Sequence, residues 1–196
     1  MARSRAVRTY WIGVLLIVAL GPVALVIAVD HAHFRNTTTA LSVVTGMLAA
    51  SLFVVTFALP TRVPSVLSAF GIERVLRTHR LLAVSAVALL VLHIGLAVIG
   101  DPRHLHIFVL TDQPRPVWAA MASTVAVALL IVTAIRRRQT QPRYEGWRLL
   151  HIALALTALA FAALHIVWLG AFDSQFGRRF SFADSGRTNG HHFGTQ

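Results

Sequence analysis

The chain has 196 residues and a formal net charge of +11, and all of its basic residues apart from His are Arg. Only 13% of the residues are charged and 56% are apolar, whereas a soluble domain carries about 25% charged residues. This composition disfavours a water-soluble enzyme. It also disfavours a nucleic-acid-binding protein, because long apolar runs separate the basic residues. The absence of Cys excludes disulfides, iron-sulfur clusters and thiolate metal sites.

Five apolar segments are long enough to cross a hydrocarbon layer about 30 Å thick, which takes roughly 20 helical residues. They are residues 11–29, 40–59, 81–99, 117–135 and 149–172. We therefore predict an all-α integral membrane protein, a bundle of five transmembrane helices in a lipid bilayer. The first segment follows three Arg, as in a signal peptide, but it is longer than the usual apolar region of about 7 to 15 residues. We interpret it as a retained span, kinked at Pro22.

The distribution of Arg predicts the orientation of the bundle. Twelve Arg lie before the first span, between the second and third, and between the fourth and fifth, against six elsewhere. Because basic residues in short loops stay cytoplasmic, we predict a cytoplasmic N-terminus and a C-terminal tail on the outer side. This polar tail, residues 173–196, is expected to be flexible. An interfacial helix with Phe172, Phe176 and Phe180 on one face is the alternative.

Four His lie inside or at the ends of two spans. His79 and His93 belong to the third span, and His151 and His165 belong to the fifth. Both pairs are fourteen residues apart, which is close to four helical turns and a rise of about 21 Å. Each helix therefore presents two imidazoles on one face, near opposite sides of the membrane. Since both spans run in the same direction, His79 matches His151 in depth and His93 matches His165.

Two facing imidazoles at each of two depths predict a pair of haem sites. A haem iron accepts axial nitrogen ligands on both faces, and the apolar macrocycle fits a helix bundle. The small residues between the ligands, Ala83, Ala86, Ala155, Ala158 and Ala162, leave room for a ring, although close helix packing explains them equally well. Proton relays or interhelical hydrogen bonds are the alternative use of the four His.

The segments R-V-L-R-T-H-R-L-L-A, L-H-I-G, W-R-L-L-H and A-A-L-H-I-V-W-L resemble the ferric reductase transmembrane-domain superfamily. This superfamily includes ferric reductases, NADPH oxidases and stand-alone bacterial haem subunits. The resemblance covers about residues 40 to 170. It implies two bis-His b-type haems at the four positions named above and electron transfer from the cytoplasmic to the outer side. Residues 1–172 would form the haem domain, followed by the tail of residues 173–196.

Full-length members of this superfamily usually add a sixth span and a cytoplasmic flavin and nicotinamide domain, and neither is visible in this sequence. The resemblance therefore implies an oxidoreductase component whose electrons come from a separate donor, either a soluble flavin reductase or a membrane quinol. Flavin or NAD(P)H would take part only through that partner. The outer acceptor is not indicated. All-Arg usage is typical of GC-rich bacterial genomes, so we expect a bacterial plasma membrane protein.

Three weaker sets of residues complete the prediction. Arg77, Arg80 and Arg148 lie where inner-haem propionates could end, although the positive-inside rule explains them as well. Two outer His-x-His sets, each with a nearby carboxylate, could hold a metal ion or be solvated loop residues; they are Asp30, His31 and His33, and Asp101, His104 and His106. Trp147 and Trp168 bracket the fifth span, as interfacial anchors do.

Two other classes of function remain open from the residues. A dihaem cytochrome b subunit of a quinone oxidoreductase could use the same His spacing. A haem-free transporter or proton conductor could use the four His directly.

Overall fold

A computed structural model of the chain describes the backbone of residues 2–30, 37–61, 64–100, 113–140 and 144–188. Within these ranges the secondary structure is helical, with no strand. A 3-10 turn, Leu59–Thr61, follows the second of six α-helices. The α-helices are α1 (Ala2–Asp30), α2 (Thr37–Ala58), α3 (Pro64–Phe70), α4 (Ile72–Gly100), α5 (Arg115–Thr140) and α6 (Tyr144–Thr188).

The five predicted transmembrane helices are confirmed. The segments with the length and hydropathy of a membrane span are Arg5–Ala28, Thr37–Ala58, Ile72–Gly100, Arg115–Arg137 and Tyr144–Gly170. All five segments begin before the apolar runs predicted from the sequence. In four of them the added residues include Arg, because these helices continue through Arg-containing turns at the membrane surface. Arg has a high helix propensity, and its long side chain can reach out of the apolar layer. One consequence is that His79 lies well inside α4 rather than at its end.

Large apolar side chains lie exposed on the outer faces of the spans. Ile17 and Ile99 are each 72% exposed and Leu149 is 68% exposed. In water such faces would favour association or aggregation. In hydrocarbon they are solvated by lipid, so the exposed faces fit the membrane class that the composition predicts.

The chain divides into two compact units, Met1–Leu110 and Thr111–Gln196. In the first unit, α2 and α4 pack along their lengths and α1 packs on α2 and α3. A buried cluster at one end of this unit contains Val55, Leu59, Val66 and Val75. The short helix α3, which the hydropathy pattern did not predict, contributes Val66 to that cluster and joins α2 to α4.

Gly71 makes the turn between α3 and α4. Its φ of 76° lies in the left-handed region, where a side chain is strained. Its N–H donates to the Leu67 carbonyl at 2.9 Å, and the Val75 N–H donates to the Gly71 carbonyl at 3.1 Å. Gly71 therefore ends one helix and begins the next, which is a common role for glycine after a helix C-terminus.

In the second unit, α5 and α6 form an antiparallel pair. The contact is close because small side chains, among them Ala119, Ala126 and Ala158, are buried in it. The Ser123 hydroxyl donates to the Ala158 carbonyl at 2.9 Å. Helix α6 continues to Thr188, so the first part of the polar tail has helical backbone. The flexibility of residues 173–196 and the division at residue 172 remain predictions.

Replacing Gly71 with Ala should destabilise the protein by about 1 kcal/mol, because the new side chain must adopt the left-handed conformation. The Cβ itself would meet no neighbour within 4 Å, so the cost comes from the backbone alone. Gly95→Ala is the matched control, since Gly95 lies within α4 and its Cβ would also meet nothing within 4 Å. Thermal unfolding in detergent should show a lower Tm for Gly71→Ala only; equal Tm values would contradict this account of the turn.

Candidate functional site

The structure places the four predicted His on two long helices. His79 and His93 lie on α4 in the first unit, and His151 and His165 lie on α6 in the second unit. All four side chains are partly buried. Their contacts within each unit indicate which ring nitrogen carries the proton.

His79 is held by the backbone of α2. Its Nδ1 lies 2.9 Å from the Thr56 carbonyl oxygen. A carbonyl only accepts hydrogen bonds, so Nδ1 carries the proton. The residue four positions after Thr56 is Pro60, which has no N–H to donate to that carbonyl in the helical pattern. The sequence therefore leaves the Thr56 oxygen open to the imidazole.

His93 is held at the opposite end of α2 in the same manner. Its Nδ1 lies 2.7 Å from the Ser42 carbonyl oxygen. The Ser42 hydroxyl donates to the His93 carbonyl at 3.1 Å and lies 3.2 Å from Nδ1. Since that hydroxyl proton is directed to the carbonyl, the hydroxyl oxygen can only accept from Nδ1. Both contacts therefore place the proton on Nδ1.

Gly46 provides the space for the His93 ring. A Cβ at residue 46 would lie 2.7 Å from Nδ1 and 2.9 Å from Cε1 of His93. Such separations are far below ordinary contact distances, so any larger residue would displace the imidazole. Here the glycine is needed for close approach and not for an unusual backbone angle.

The two anchoring contacts repeat because α2 and α4 are antiparallel and in register. Ser42 and Thr56 are fourteen residues apart on α2, as His79 and His93 are on α4. Two antiparallel helices have the same rise per residue, so two positions that face each other are followed, fourteen residues along each helix, by another facing pair. One helix pair therefore orients two imidazoles at two levels, separated by about 21 Å along the helix axis.

The second unit holds its two His in different ways. His165 Nδ1 lies 2.9 Å from the Pro116 carbonyl oxygen at the start of α5, which repeats the contact made in the first unit. His151 stacks on the Trp147 indole, with ring centroids 5.0 Å apart and an angle of 25° between the planes. Three of the four His are therefore oriented by main-chain carbonyls and the fourth has an aromatic neighbour.

The anchoring contacts leave Nε2 as the nitrogen with a lone pair on His79, His93 and His165. In a neutral imidazole one nitrogen carries the proton and the other is available to a metal. Metal-binding His commonly donate the second N–H to a backbone carbonyl, which fixes the tautomer and the ring orientation. These three side chains thus have the protonation pattern and support of nitrogen ligands. Haem iron takes such imidazole nitrogens as its axial ligands, so the chemistry of this donor set fits that group.

The small residues between the His are mainly used for helix packing. Ala86 is 2% exposed in the first unit, and Ala155 and Ala158 are 8% and 1% exposed in the second. Ala83 and Ala162 are partly buried. The packing explanation therefore accounts for the three most buried positions within the units themselves.

The predicted Arg residues lie near the inner His in sequence and are exposed. Arg77, Arg80 and Arg148 are all in the exposed class. Arg77 and Arg74 also line a cleft of about 520 Å³ around the α3–α4 turn, together with Phe70, Gly71, Ile72 and Glu73. Their charge is available at the surface, and a role with haem propionates remains a prediction.

The predicted outer metal sites lie outside the described residues. The side chains of Asp30, His31, His33, Asp101, His104 and His106 are not described. Among the side chains that are described, no group of three or more His, Asp or Glu could hold a metal ion. A bis-imidazole site needs two ligands only, so this observation does not bear on the four His of the spans.

The family of the chain follows from its comparison with known proteins. The family model for the ferric reductase like transmembrane component matches residues 45–162, more than half of the chain. The chain belongs to this family. The predicted resemblance is therefore confirmed, and the family indicates transmembrane electron transfer. Neither a curated protein nor a solved structure matches the chain.

The matched region of this ferric reductase-like protein contains three of the four His and ends shortly before His165. Transmembrane domains of the family generally bind haem and need a separate redox partner when they lack a donor domain. The sequence alone did not point to the anchoring groups on α2 and α5. Two residues could have done so: Pro60, which leaves the Thr56 carbonyl without its helical N–H donor, and Gly46, which makes room for the His93 ring.

Replacing Pro60 with Ala should weaken the anchoring of His79. The new N–H can donate to the Thr56 carbonyl and compete with His79 Nδ1. We expect ¹⁵N-His NMR of the haem-free protein to show a lower population of the Nδ1–H tautomer for His79 and an unchanged one for His93.

Pro22→Ala is the matched control for that measurement, since Pro22 lies inside α1 and likewise gains an N–H. An unchanged His79 tautomer in the Pro60→Ala protein would show that the proline is not what frees the carbonyl.

Replacing Gly46 with Ala should displace the other anchored ring. The methyl group would lie 2.7 Å from His93 Nδ1, so the imidazole must move away from the Ser42 carbonyl. Loss of one such hydrogen bond costs about 1 kcal/mol. The His93 resonances should move while those of His79 and His165 stay, with Gly95→Ala as control. Movement of all three would indicate a general rearrangement and not a local clash.

Proposed function

We propose that this ferric reductase-like protein is a dihaem b-type cytochrome that carries electrons across the membrane. His79 and His151 would bind the inner haem, and His93 and His165 the outer haem. Electrons would pass from a cytoplasmic donor to an acceptor on the outer side. Bound haem supplies one-electron chemistry at its iron.

The observation that supports this proposal best is the anchoring of three imidazoles through Nδ1. His79, His93 and His165 each donate to a main-chain oxygen at 2.7 to 2.9 Å. A proton relay needs both ring nitrogens to exchange protons with neighbours, whereas these rings have one nitrogen fixed as a donor. A ligand to iron needs that fixed tautomer. The family match points to the same chemistry.

The pairing by depth follows from the fourteen-residue spacing on both helices. Each pair lies about 21 Å apart along its helix, so each helix would supply one ligand to each haem. If His79 were paired with His165, or His93 with His151, the two ligands of one haem would lie about four helical turns apart in depth. The proposal therefore predicts two separate sites that lose haem independently.

The chain's own residues would set the behaviour of these sites in three ways. The carbonyl contacts would fix the tautomer of the ligating imidazoles and restrict rotation of the rings. The apolar helix faces would limit the access of water to the sites. At the Arg-rich end, the exposed guanidinium groups of Arg77, Arg80 and Arg148 would pair with propionates of the inner haem.

The electron donor would be a separate protein or a membrane quinol, because membership of this family implies a redox partner. A cytoplasmic flavin reductase is one such donor. We place the protein in a bacterial plasma membrane, with the Arg-rich ends of the helices in the cytoplasm.

The purified protein should contain about two haems per chain. A pyridine haemochrome assay, combined with a protein determination, measures this ratio directly. His93→Ala and His165→Ala should each reduce it to about one and remove the same haem in redox titrations. His79→Ala and His151→Ala should remove the other.

His106→Ala is the control for these variants, since it removes a His outside the spans and should keep the full haem content. A colourless wild-type protein without a Soret band would end the proposal in favour of a haem-free transporter. If His93→Ala or His165→Ala emptied the inner site and left the outer site occupied, the depth pairing would be wrong. Bound quinone in the purified protein would favour the quinone oxidoreductase subunit.

A further inference from the structure

In the second unit, Trp147 contacts groups of different chemistry where the end of α5 lies beside the start of α6. Its indole stacks on His151, as described above. Its Nε1–H donates to the Thr133 carbonyl at 3.3 Å. The Arg137 guanidinium carbon lies 3.9 Å from its ring centroid.

The spacing of these residues explains how the contacts arise together. Thr133 and Arg137 are four residues apart on α5, and Trp147 and His151 are four residues apart on α6. Residues at this spacing lie on the same face of a helix, one turn apart. Helix α5 therefore fixes the indole at two points, and the indole in turn covers the imidazole that follows it.

These contacts differ from those of a simple membrane anchor. An interfacial Trp lies with its N–H among water and lipid headgroups. The Trp147 N–H is directed to a protein carbonyl, and the side chain is only partly exposed. Its cation–π contact with Arg137 is at the short end of the range for such pairs. Trp147 is therefore held inside the protein by both its edge and its face.

The register of α5 and α6 shows which part of α5 lies beside His151. On α5, Pro116 and Ser123 face His165 and Ala158 of α6. Continuing this antiparallel register places Leu130 beside His151. The next turn of α5 carries Thr133, whose carbonyl accepts the Trp147 N–H. The indole is therefore held by the part of α5 that lies next to His151.

We propose that Trp147 is a positioning residue for His151, and that Arg137 acts through Trp147. The indole fixes the plane of the imidazole by stacking on it. The Arg137 cation holds the indole and adds a positive charge near the inner site. This inference rests on the proposed function for its redox consequences, and the stacking itself can be tested without haem.

The haem-free test uses NMR of the His ring protons. Protons stacked over an indole are shifted upfield by its ring current. In the Trp147→Leu protein the His151 ring protons should move downfield, while those of His93 stay in place. Trp147→Phe should retain most of the upfield shift. Trp118→Leu is the control, because it removes an indole that is 45% exposed on α5. His151 resonances that do not move in Trp147→Leu would overturn the inference.

The test with haem uses electron paramagnetic resonance and redox titration. The g values of a low-spin bis-His haem depend on the angle between the two imidazole planes. Trp147→Leu should therefore change the signal of the haem that is lost in His79→Ala and leave the other signal unchanged. Arg137→Gln should lower the reduction potential of that same haem, because a nearby positive charge favours the reduced state. This variant retains the indole, so it tests the proposal even if the Trp147→Leu protein does not fold.

The outcomes of the two tests separate the two proposals. A ring-current shift that depends on Trp147, in a protein that binds no haem, supports the positioning role and ends the cytochrome proposal. Two haems whose signals and potentials are the same in wild type, Trp147→Leu and Arg137→Gln would support the cytochrome and overturn the positioning role. Equal changes at both haems would also overturn it.

Discussion

The contact on which the arrangement depends is a hydrogen bond from an imidazole N–H to a main-chain oxygen of the neighbouring helix. It occurs at His79, His93 and His165 with distances of 2.7 to 2.9 Å. Within an apolar layer an unsatisfied polar group is costly. The bond therefore does two things at once: it allows a polar ring to lie among apolar helices, and it determines which nitrogen carries the proton. Ordinary helix packing is sufficient to bring the imidazole and the carbonyl oxygen together.

That packing is close for two reasons that can be traced to particular residues. Small side chains such as Ala86 and Ala158 are buried where helices meet, and membrane helices associate through such residues because lipid removes most of the hydrophobic drive for association. At Gly46 the absence of a side chain lets the His93 ring approach the α2 backbone. The helix pairs that pack against each other are therefore the pairs that orient the imidazoles, so a substitution that alters the packing also alters the orientation of the rings.

The sequence predicted the five membrane helices and the four His because both depend on patterns that survive without tertiary contacts. Length and hydropathy decide a span, and the fourteen-residue spacing decides a helix face. The short helix α3 was missed, since seven residues carry too little periodicity. The anchoring oxygens were missed for a different reason: every residue has a carbonyl, and only the neighbouring Pro60 and Gly46 mark indirectly which ones are used. The end-of-span position of Trp147 predicts an interfacial anchor, and the sequence carries no sign of its contacts with Thr133 and Arg137 of α5.

The use of main-chain oxygens as supports has a consequence for how this protein can change over generations. A substitution at position 42, 56 or 116 keeps the main-chain carbonyl oxygen that supports the imidazole. Different residues can therefore occupy these positions as long as the helix is retained. A one-residue insertion or deletion in α2 between the two supports is a different event. It would turn one support by about 100° and shift it by about 1.5 Å relative to the other, and no replacement side chain could restore it. Conservation in homologous chains should therefore be found in the lengths of these helices more than in the letters at the supporting positions.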